Sequence, residues 1–187
     1  MGSKLFYRHG CMGSGKSLAL LAVAENYKRI GQKVKVYTTA MDNRFGEGVV
    51  ASRAGMSIPA ELFNNETVFS IDAVGHDVAA VLVDECQFLT RDQVVELGRI
   101  AALHGKPVIA FGLRSDFRGE AFTGSAALAI LADKVEELTT ICQCGRRANF
   151  NIRLDAEGKR VRDGEQIQIG DAQYRAACST CFYTEDA

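Results

Sequence analysis

A chain of 187 residues, 47% of them hydrophobic, suits one domain, or one domain with a small appendage, and has ample material for a core. It holds no run of 18 apolar residues, which speaks against a membrane-spanning helix, and its formal net charge of −1 speaks against a chain that as a whole attracts nucleic acid. One early lysine and no long apolar region ahead of residue 10 argue against a signal peptide, so a cytoplasmic protein is expected.

In chain order, Lys4-Leu5-Phe6-Tyr7 reads as a strand and leads into Gly10-Cys11-Met12-Gly13-Ser14-Gly15-Lys16-Ser17, a full match to G-x-x-x-x-G-K-[ST]. A helical pattern from Leu18 to Ile30 follows, which supplies the strand–loop–helix context that this motif needs. Its glycines permit a tight turn that aims successive N–H groups at phosphate oxygens. The helix start adds unpaired donors and partial positive charge. Lys16 is expected on the β- and γ-phosphates of a nucleoside triphosphate, and the Ser17 hydroxyl on Mg²⁺. The plainer alternative is a glycine-rich turn with a helix cap.

Gly31-Gln32 is a helix stop, and Lys33 to Tyr37 alternates as a strand. Residues 38–57 are polar and glycine-containing, with Asp42, Arg44, Glu47 and Arg53. They are too many for an ordinary connection, and are expected to form a mobile loop, either ordered by a ligand or neighbouring subunit or simply an insertion. Thr67 to Ile71 reads as a short strand. Val78 to Val83 is a continuous apolar run, as in a strand buried on both faces, and it ends in Asp84-Glu85. Thr90 caps a helix from Arg91 to His104, Pro107 to Leu113 is a strand, Gly124 to Lys134 a helix and Val135 to Ile141 a strand. Strands alternating with helices predict a parallel sheet covered on both faces over residues 1–140. From about Thr140 the helical periodicity vanishes, and residues 141–187 read as a separate small unit.

The run ending in Asp84 is a Walker-B arrangement: a buried strand delivers a carboxylate beside the phosphate loop, where it would hold Mg²⁺ through water. Glu85 is expected to point to the other side of the strand end, placed to take a proton from an attacking hydroxyl or water. An ordinary acidic pair at the surface is the alternative, and the pair alone does not separate a kinase from an ATPase. Cys11 and Cys86 stand alone, whereas Cys142-x-Cys144 and Cys178-x-x-Cys181 form two pairs. Without a secretory signal the pairs read more readily as a metal site than as disulfides. Four thiolates around tetrahedral Zn²⁺ would leave no position for substrate, so that site would be structural; four free or partly oxidised cysteines are the alternative. His9, His76 and His104, like Asp72 and Asp77, do not cluster with these motifs and are read as structural or surface residues.

Asp84-Glu85-Cys86-Gln87-Phe88 together with Gly10 to Ser17 resembles the cytosolic, thymidine kinase 1-like (type II) family, as a bacterial-type member. Gly112 to Phe122 looks like that family's segment after the following strand, Gln166 to Tyr174 like its lasso loop, and the cysteine pairs flank that loop as they do in the family. The resemblance covers nearly the whole chain. It implies a RecA-like P-loop sheet at 1–140 with a zinc-binding, lasso-containing domain at 141–187, and transfer of the γ-phosphate of ATP to the 5′-hydroxyl of thymidine, in salvage for DNA synthesis. By the same match, ATP and its phosphates meet Gly10, Cys11, Met12, Gly13, Ser14, Gly15, Lys16 and Ser17 with Asp84, Glu85, Cys86 and Gln87, and Glu85 is the catalytic base. Met12, Phe88, Leu113 and Phe117 surround the thymine, an apolar slot suited to a flat methylated base. The backbone of Gln168, Ile169, Gly170, Asp171 and Ala172 bonds the base edge, and Tyr174 closes the lasso. Arg118 lies where a cation could meet transferring phosphate. Core packing is the other reading of Phe88, Leu113, Phe117 and Tyr174.

Mg²⁺ on Ser17 and Asp84, structural Zn²⁺ on Cys142, Cys144, Cys178 and Cys181, a homotetramer, and feedback inhibition by thymidine triphosphate (dTTP) are further implications of the family; a nucleic-acid or membrane partner is not. Cys11 stands where the family often has proline, Arg114 where many members have aspartate and Ala121 where many have proline; the C-x-C pair is tighter than the usual C-x-x-C. A zinc-ribbon ATPase acting on nucleic acid and a non-catalytic nucleotide sensor are the rival functions. Intact Lys16, Ser17, Asp84 and Glu85 speak against the sensor.

Overall fold

The computed structural model describes residues 2–41, 48–167 and 173–184. In chain order the elements are β1 (Leu5–His9), α1 (Lys16–Arg29), β2 (Val34–Thr39), β3 (Val49–Ala51), β4 (Ser57–Pro59), β5 (Glu61–Phe63), α2 (Ile71–Val74) and β6 (Ala80–Val83). After a 3₁₀ turn (Cys86–Phe88) come α3 (Arg91–His104), β7 (Val108–Gly112), α4 (Thr123–Leu131) and β8 (Lys134–Glu137). The remainder is β9 (Thr140–Ile141), β10 (Arg147–Ala148), β11 (Phe150–Leu154), β12 (Arg160–Val161), β13 (Gln173–Ala177) and α5 (Ser179–Tyr183).

Six strands form one sheet in the order β5-β2-β6-β7-β1-β8, and every pairing is parallel. The apolar runs at β6 and β7 are buried at every position. Their alternate residues feed two cores. Val81, Val83, Val108 and Ala110 pack with Val94, Leu97 and Ile100 of α3 and Leu128 of α4; Leu82, Ile109 and Phe111 pack with Leu20, Leu21 and Ala24 of α1. Period-two alternation thus puts apolar groups on both faces, and helices cover both. Helix α3 starts with a reciprocal capping box between Thr90 and Gln93. Helix α1 ends in a Schellman motif: Gln32 N–H donates to Tyr27 O (2.9 Å) and Gly31 N–H to Lys28 O (3.0 Å).

Four expectations change. Residues 38–57 are not simply a loop: β3 and β4 pair as an antiparallel hairpin, and Val50 is buried against the α1 side of the sheet because hydrophobic burial organises even a short insertion. Asp42, Arg44 and Glu47 lie outside the described residues. Thr67 to Ile71 is not a strand. The Ser70 hydroxyl accepts from Ala73 N–H and starts α2, while Asn64 and Thr67 bond each other in a turn, so local side-chain bonding overrides β-propensity. The neighbour of β2 is instead β5. Val135 to Ile141 divides into β8 and β9, and α4 stops at Leu131 rather than Lys134, because Asp133 returns to Leu5: its carboxylate accepts Leu5 N–H (2.7 Å) and its N–H donates to Leu5 O (2.9 Å).

Beyond β8 the chain makes a β9–β10 hairpin and an antiparallel β12-β11-β13 sheet. Helix α5 packs there, with Phe182 stacked on Phe150 at 4.1 Å between ring centroids and clustered with Ile152 and Ala177.

Candidate active site

Parallel strands bring their C-terminal ends to one rim of the sheet, and loops gather there. The Gly10–Ser17 loop leaves β1 at this rim and is a compact nest. Gly13 and Gly15 take φ of 77° and 81°, Ser14 N–H donates to Cys11 O (3.1 Å), and the Lys16 ammonium donates to Gly10 O (3.1 Å) and Cys11 O (2.9 Å). Lys16 is 9% exposed, and burial pulls its ammonium below the usual lysine range while the carboxylates of Glu85 and Asp84 raise it.

The end of β6 lies across this loop. Ser17 Oγ donates to Asp84 Oδ2 at 3.0 Å. The second oxygen, Oδ1, is buried without a hydrogen-bond partner. Burial, and then the neighbouring Glu85 charge, push the Asp84 carboxyl up to about 7. A buried carboxylate oxygen with spare capacity beside a hydroxyl is a donor set that fits a hard, oxygen-seeking cation such as Mg²⁺.

Glu85 departs from strand alternation. Its φ of 51° makes it the one non-glycine residue with positive φ among the described residues. Asp84 and Glu85 both line the same cavity. Gln87 fixes Glu85. Leu113 N–H donates to Gln87 Oε1 (3.0 Å), which leaves Gln87 Nε2 to donate to Glu85 Oε2 (2.5 Å). Leu113 is held in turn, its carbonyl accepting from Tyr7 Oη (2.9 Å) and Ser125 Oγ (2.5 Å). Gly112 lets these elements approach, since a Cβ there would lie 2.5 Å from Gln87 Oε1 and 2.6 Å from Cys86 Sγ.

All of this opens on one cavity of about 440 Å³. Met12, Gly13, Gly15, Lys16, Ser17, Asp84, Glu85 and Gln87 line it, together with Phe88, Leu113, Phe117 and Tyr174. Cys86 does not line it; its thiol is fully buried in the core, where burial raises it well above the usual thiol range. Gly10, Cys11 and Ser14 are also absent from the lining, and the Cys11 side chain packs instead with Cys142, Ala148 and Cys178. Gln168, Ile169, Gly170, Asp171 and Ala172 lie outside the described residues. Arg118 does not line the cavity; it pairs with Asp116 (3.1 Å) and Glu120 (2.8 Å). His9 packs beside Tyr7, and His76 pairs with Asp72 at the surface.

Sequence reasoning gave no role to Asp116, Phe122, Asn151 or Arg53, all of which line the cavity. Asp116 and Phe122 sit in a segment already singled out, and Arg53 in the segment expected to be a loop. Nothing in local sequence marks Asn151.

The four sulfurs of Cys142, Cys144, Cys178 and Cys181 lie within 4.8 Å of one another, and Cys144 Sγ is 3.6 Å from Cys178 Sγ. A tetrahedron with Zn–S of about 2.3 Å has edges of about 3.8 Å, so the donor set and its spacing fit Zn²⁺.

Comparison with known proteins agrees with these motifs. A family model described as thymidine kinase matches residues 3–182. The thymidine kinase of Chromobacterium violaceum is 48% identical over 182 residues, 97% of this chain and 98% of that protein. Those of Albidiferax ferrireducens and Escherichia coli are both 46% identical, over 99% and 94% of this chain and 94% and 88% of theirs.

Proposed function

The chain belongs to the thymidine kinase family, and from that premise we propose how its own residues pass the γ-phosphate of ATP to the 5′-hydroxyl of thymidine, giving thymidine monophosphate and ADP. Lys16 and the loop amides bind the β- and γ-phosphates, exchanging the carbonyls of Gly10 and Cys11 for phosphate oxygens. Ser17, and Asp84 through water, would hold Mg²⁺, which when bound would neutralise charge on the transferring phosphate. Met12, Phe88, Leu113 and Phe117 surround the base and Tyr174 closes on the nucleoside; all five line the cavity. Glu85 takes the proton of the 5′-hydroxyl, its carboxylate oriented by Gln87.

The observation that supports this reading is that Lys16, Glu85, Phe88, Leu113 and Phe117 all line one cavity. An ATPase needs no such slot. The backbone from Gln168 to Ala172 would read the base edge, and the four cysteines would hold a structural Zn²⁺ that braces the C-terminal strands, residues 141–187 acting as a unit beside the sheet domain.

Location in the cytoplasm, feedback inhibition by dTTP and assembly as a homotetramer belong to the same proposal. Among the described residues no helix is long and apolar enough to cross a membrane. The exposed Ile130, Leu131 and Val135 at the end of α4 and on the edge strand β8 offer apolar surface for subunit contact.

The test is phosphate transfer from ATP–Mg²⁺ to thymidine, with deoxycytidine, deoxyguanosine and uridine as parallel acceptors and a control without acceptor. Transfer to thymidine well above the control is expected. ATP loss with no phosphorylated nucleoside would replace the kinase reading with an ATPase.

A further inference from the structure

Two buried polar side chains of β11 contact residues that line the cavity. Asn151 and Arg153 are two residues apart, so they share one face of the strand, while Ile152 between them enters the apolar cluster with Ala177 and Phe182. Each is 4% exposed. Asn151 Oδ1 accepts the N–H of Met12, in the phosphate loop, at 2.8 Å. The Arg153 guanidinium lies 3.8 Å from the centroid of the Phe117 ring, on the wall of the base slot. It also forks to two backbone carbonyls, Nη1 to Glu165 O and Nη2 to Asp163 O, each at 2.9 Å. Those carbonyls lie just ahead of Gln166 and Ile167, which line the cavity.

Burying a guanidinium is costly, and among the described residues no carboxylate pairs with this one. Its Nε is buried without a partner. The arrangement therefore does not satisfy Arg153 for its own sake; what it does is fix an aromatic ring and a stretch of backbone. Asn151 likewise spends its buried acceptor on a single loop amide. Neither contact lies within a strand ladder, and neither is needed to pair β11 with β13.

We propose that Asn151 and Arg153 are positioning residues, Asn151 setting the phosphate loop through the Met12 amide and Arg153 setting the base slot through Phe117 and the backbone at 163–165. Strand β11 is then a strut that holds the two substrate sites in register. The kinetic consequence rests on the thymidine kinase reading; the structural consequence does not.

The test uses the full chain and two variants. Arg153→Lys keeps the charge but cannot fork to two carbonyls while stacking on the ring. It is expected to raise KM for thymidine about tenfold while KM for ATP changes less than about twofold. Asn151→Ala is expected to do the converse. Hydrogen exchange of the same proteins supplies a readout independent of turnover. Amides at 11–15 exchange faster in Asn151→Ala, and those at 160–167 exchange faster in Arg153→Lys, each without the other. Equal effects on both KM values in both variants, or unchanged local exchange, would overturn the proposal and leave the two residues as packing alone. If the parent does not phosphorylate thymidine, the kinase reading fails and the exchange pattern alone decides the strut. If Arg153→Lys does not fold, Asn151→Ala carries the test from the phosphate side.

Discussion

Glu85 holds a backbone conformation that costs a residue with a Cβ about 1–2 kcal/mol, and the surrounding hydrogen bonds keep it there. Strain of this kind persists where the rest of the site over-determines it. On the proposed mechanism, Glu85→Gln keeps the shape and loses the base. Turnover should fall by about 10²- to 10⁴-fold with ATP and thymidine binding retained, measured by steady-state kinetics and equilibrium titration. Near-normal turnover would remove Glu85 from the role. Asp84 gives a pH prediction. Its carboxyl sits near 7 in the folded chain against an ordinary 3.8, so between those values the folded state holds a proton that the unfolded state does not. Its contribution to stability is full below the ordinary value and is lost as pH rises through about 7. Mg²⁺-dependent ATP affinity should run the opposite way, rising as the proton leaves. Melting temperatures of the unliganded chain and ATP–Mg²⁺ titrations at several pH values measure both trends. Asp84→Asn should remove this part of each, and an unchanged pH profile in that variant would assign the effect to other groups.

At the scale of elements, the cysteine knuckle joins the β9–β10 hairpin, the end of β13 and the start of α5, where Cys178 is the N-cap. Cys178→Ser should lose zinc and loosen these strands while the six-stranded sheet keeps its fold. Metal analysis and hydrogen exchange check this, and full zinc occupancy in the variant, or disulfide-bonded cysteines in the purified parent, would refute it. The same scale shows what was legible beforehand. Helices α1 and α3 and strands β6 and β7 were readable because burial imposes a period on their sequences, and the Thr90 cap because its chemistry is local. Strand β5 was not readable: Glu61 and Leu62 are exposed at the sheet edge, so no alternation marks them. The hairpin β3–β4 buries little beyond Val50, so its signal is a single residue. The phosphate loop and Asp84-Glu85 were legible from spacing, whereas the left-handed backbone of Glu85 is an angle that no spacing encodes. Asn151 and Arg153 look like solvent-facing positions of a strand, and only their tertiary partners make them interior.

Across the whole molecule, the order β5-β2-β6-β7-β1-β8 sets β7 between the strand that feeds the phosphate loop and the strand that ends in Asp84. Leu113, which follows Gly112 at the end of β7, therefore leaves the sheet between those two strands and lines the cavity. The C-terminal strands close the other side through Tyr174, so a single cavity spans from Lys16 to β13. On the proposed function, a ligand with a thymine ring and a phosphate chain would engage both the base-binding and the phosphate-binding residues, whereas thymidine alone would engage only the former. In thermal unfolding, dTTP at equal concentration should then stabilise the parent more than thymidine does, because stabilisation grows with the logarithm of affinity. Lys16→Ala should narrow that difference by weakening the phosphate half while leaving the thymidine shift nearly intact. Inhibition by dTTP should be competitive with thymidine, since both would occupy the slot at Phe88 and Phe117. A non-competitive pattern, or a dTTP shift unchanged by Lys16→Ala, would place the triphosphate elsewhere on the molecule and separate feedback from the cavity.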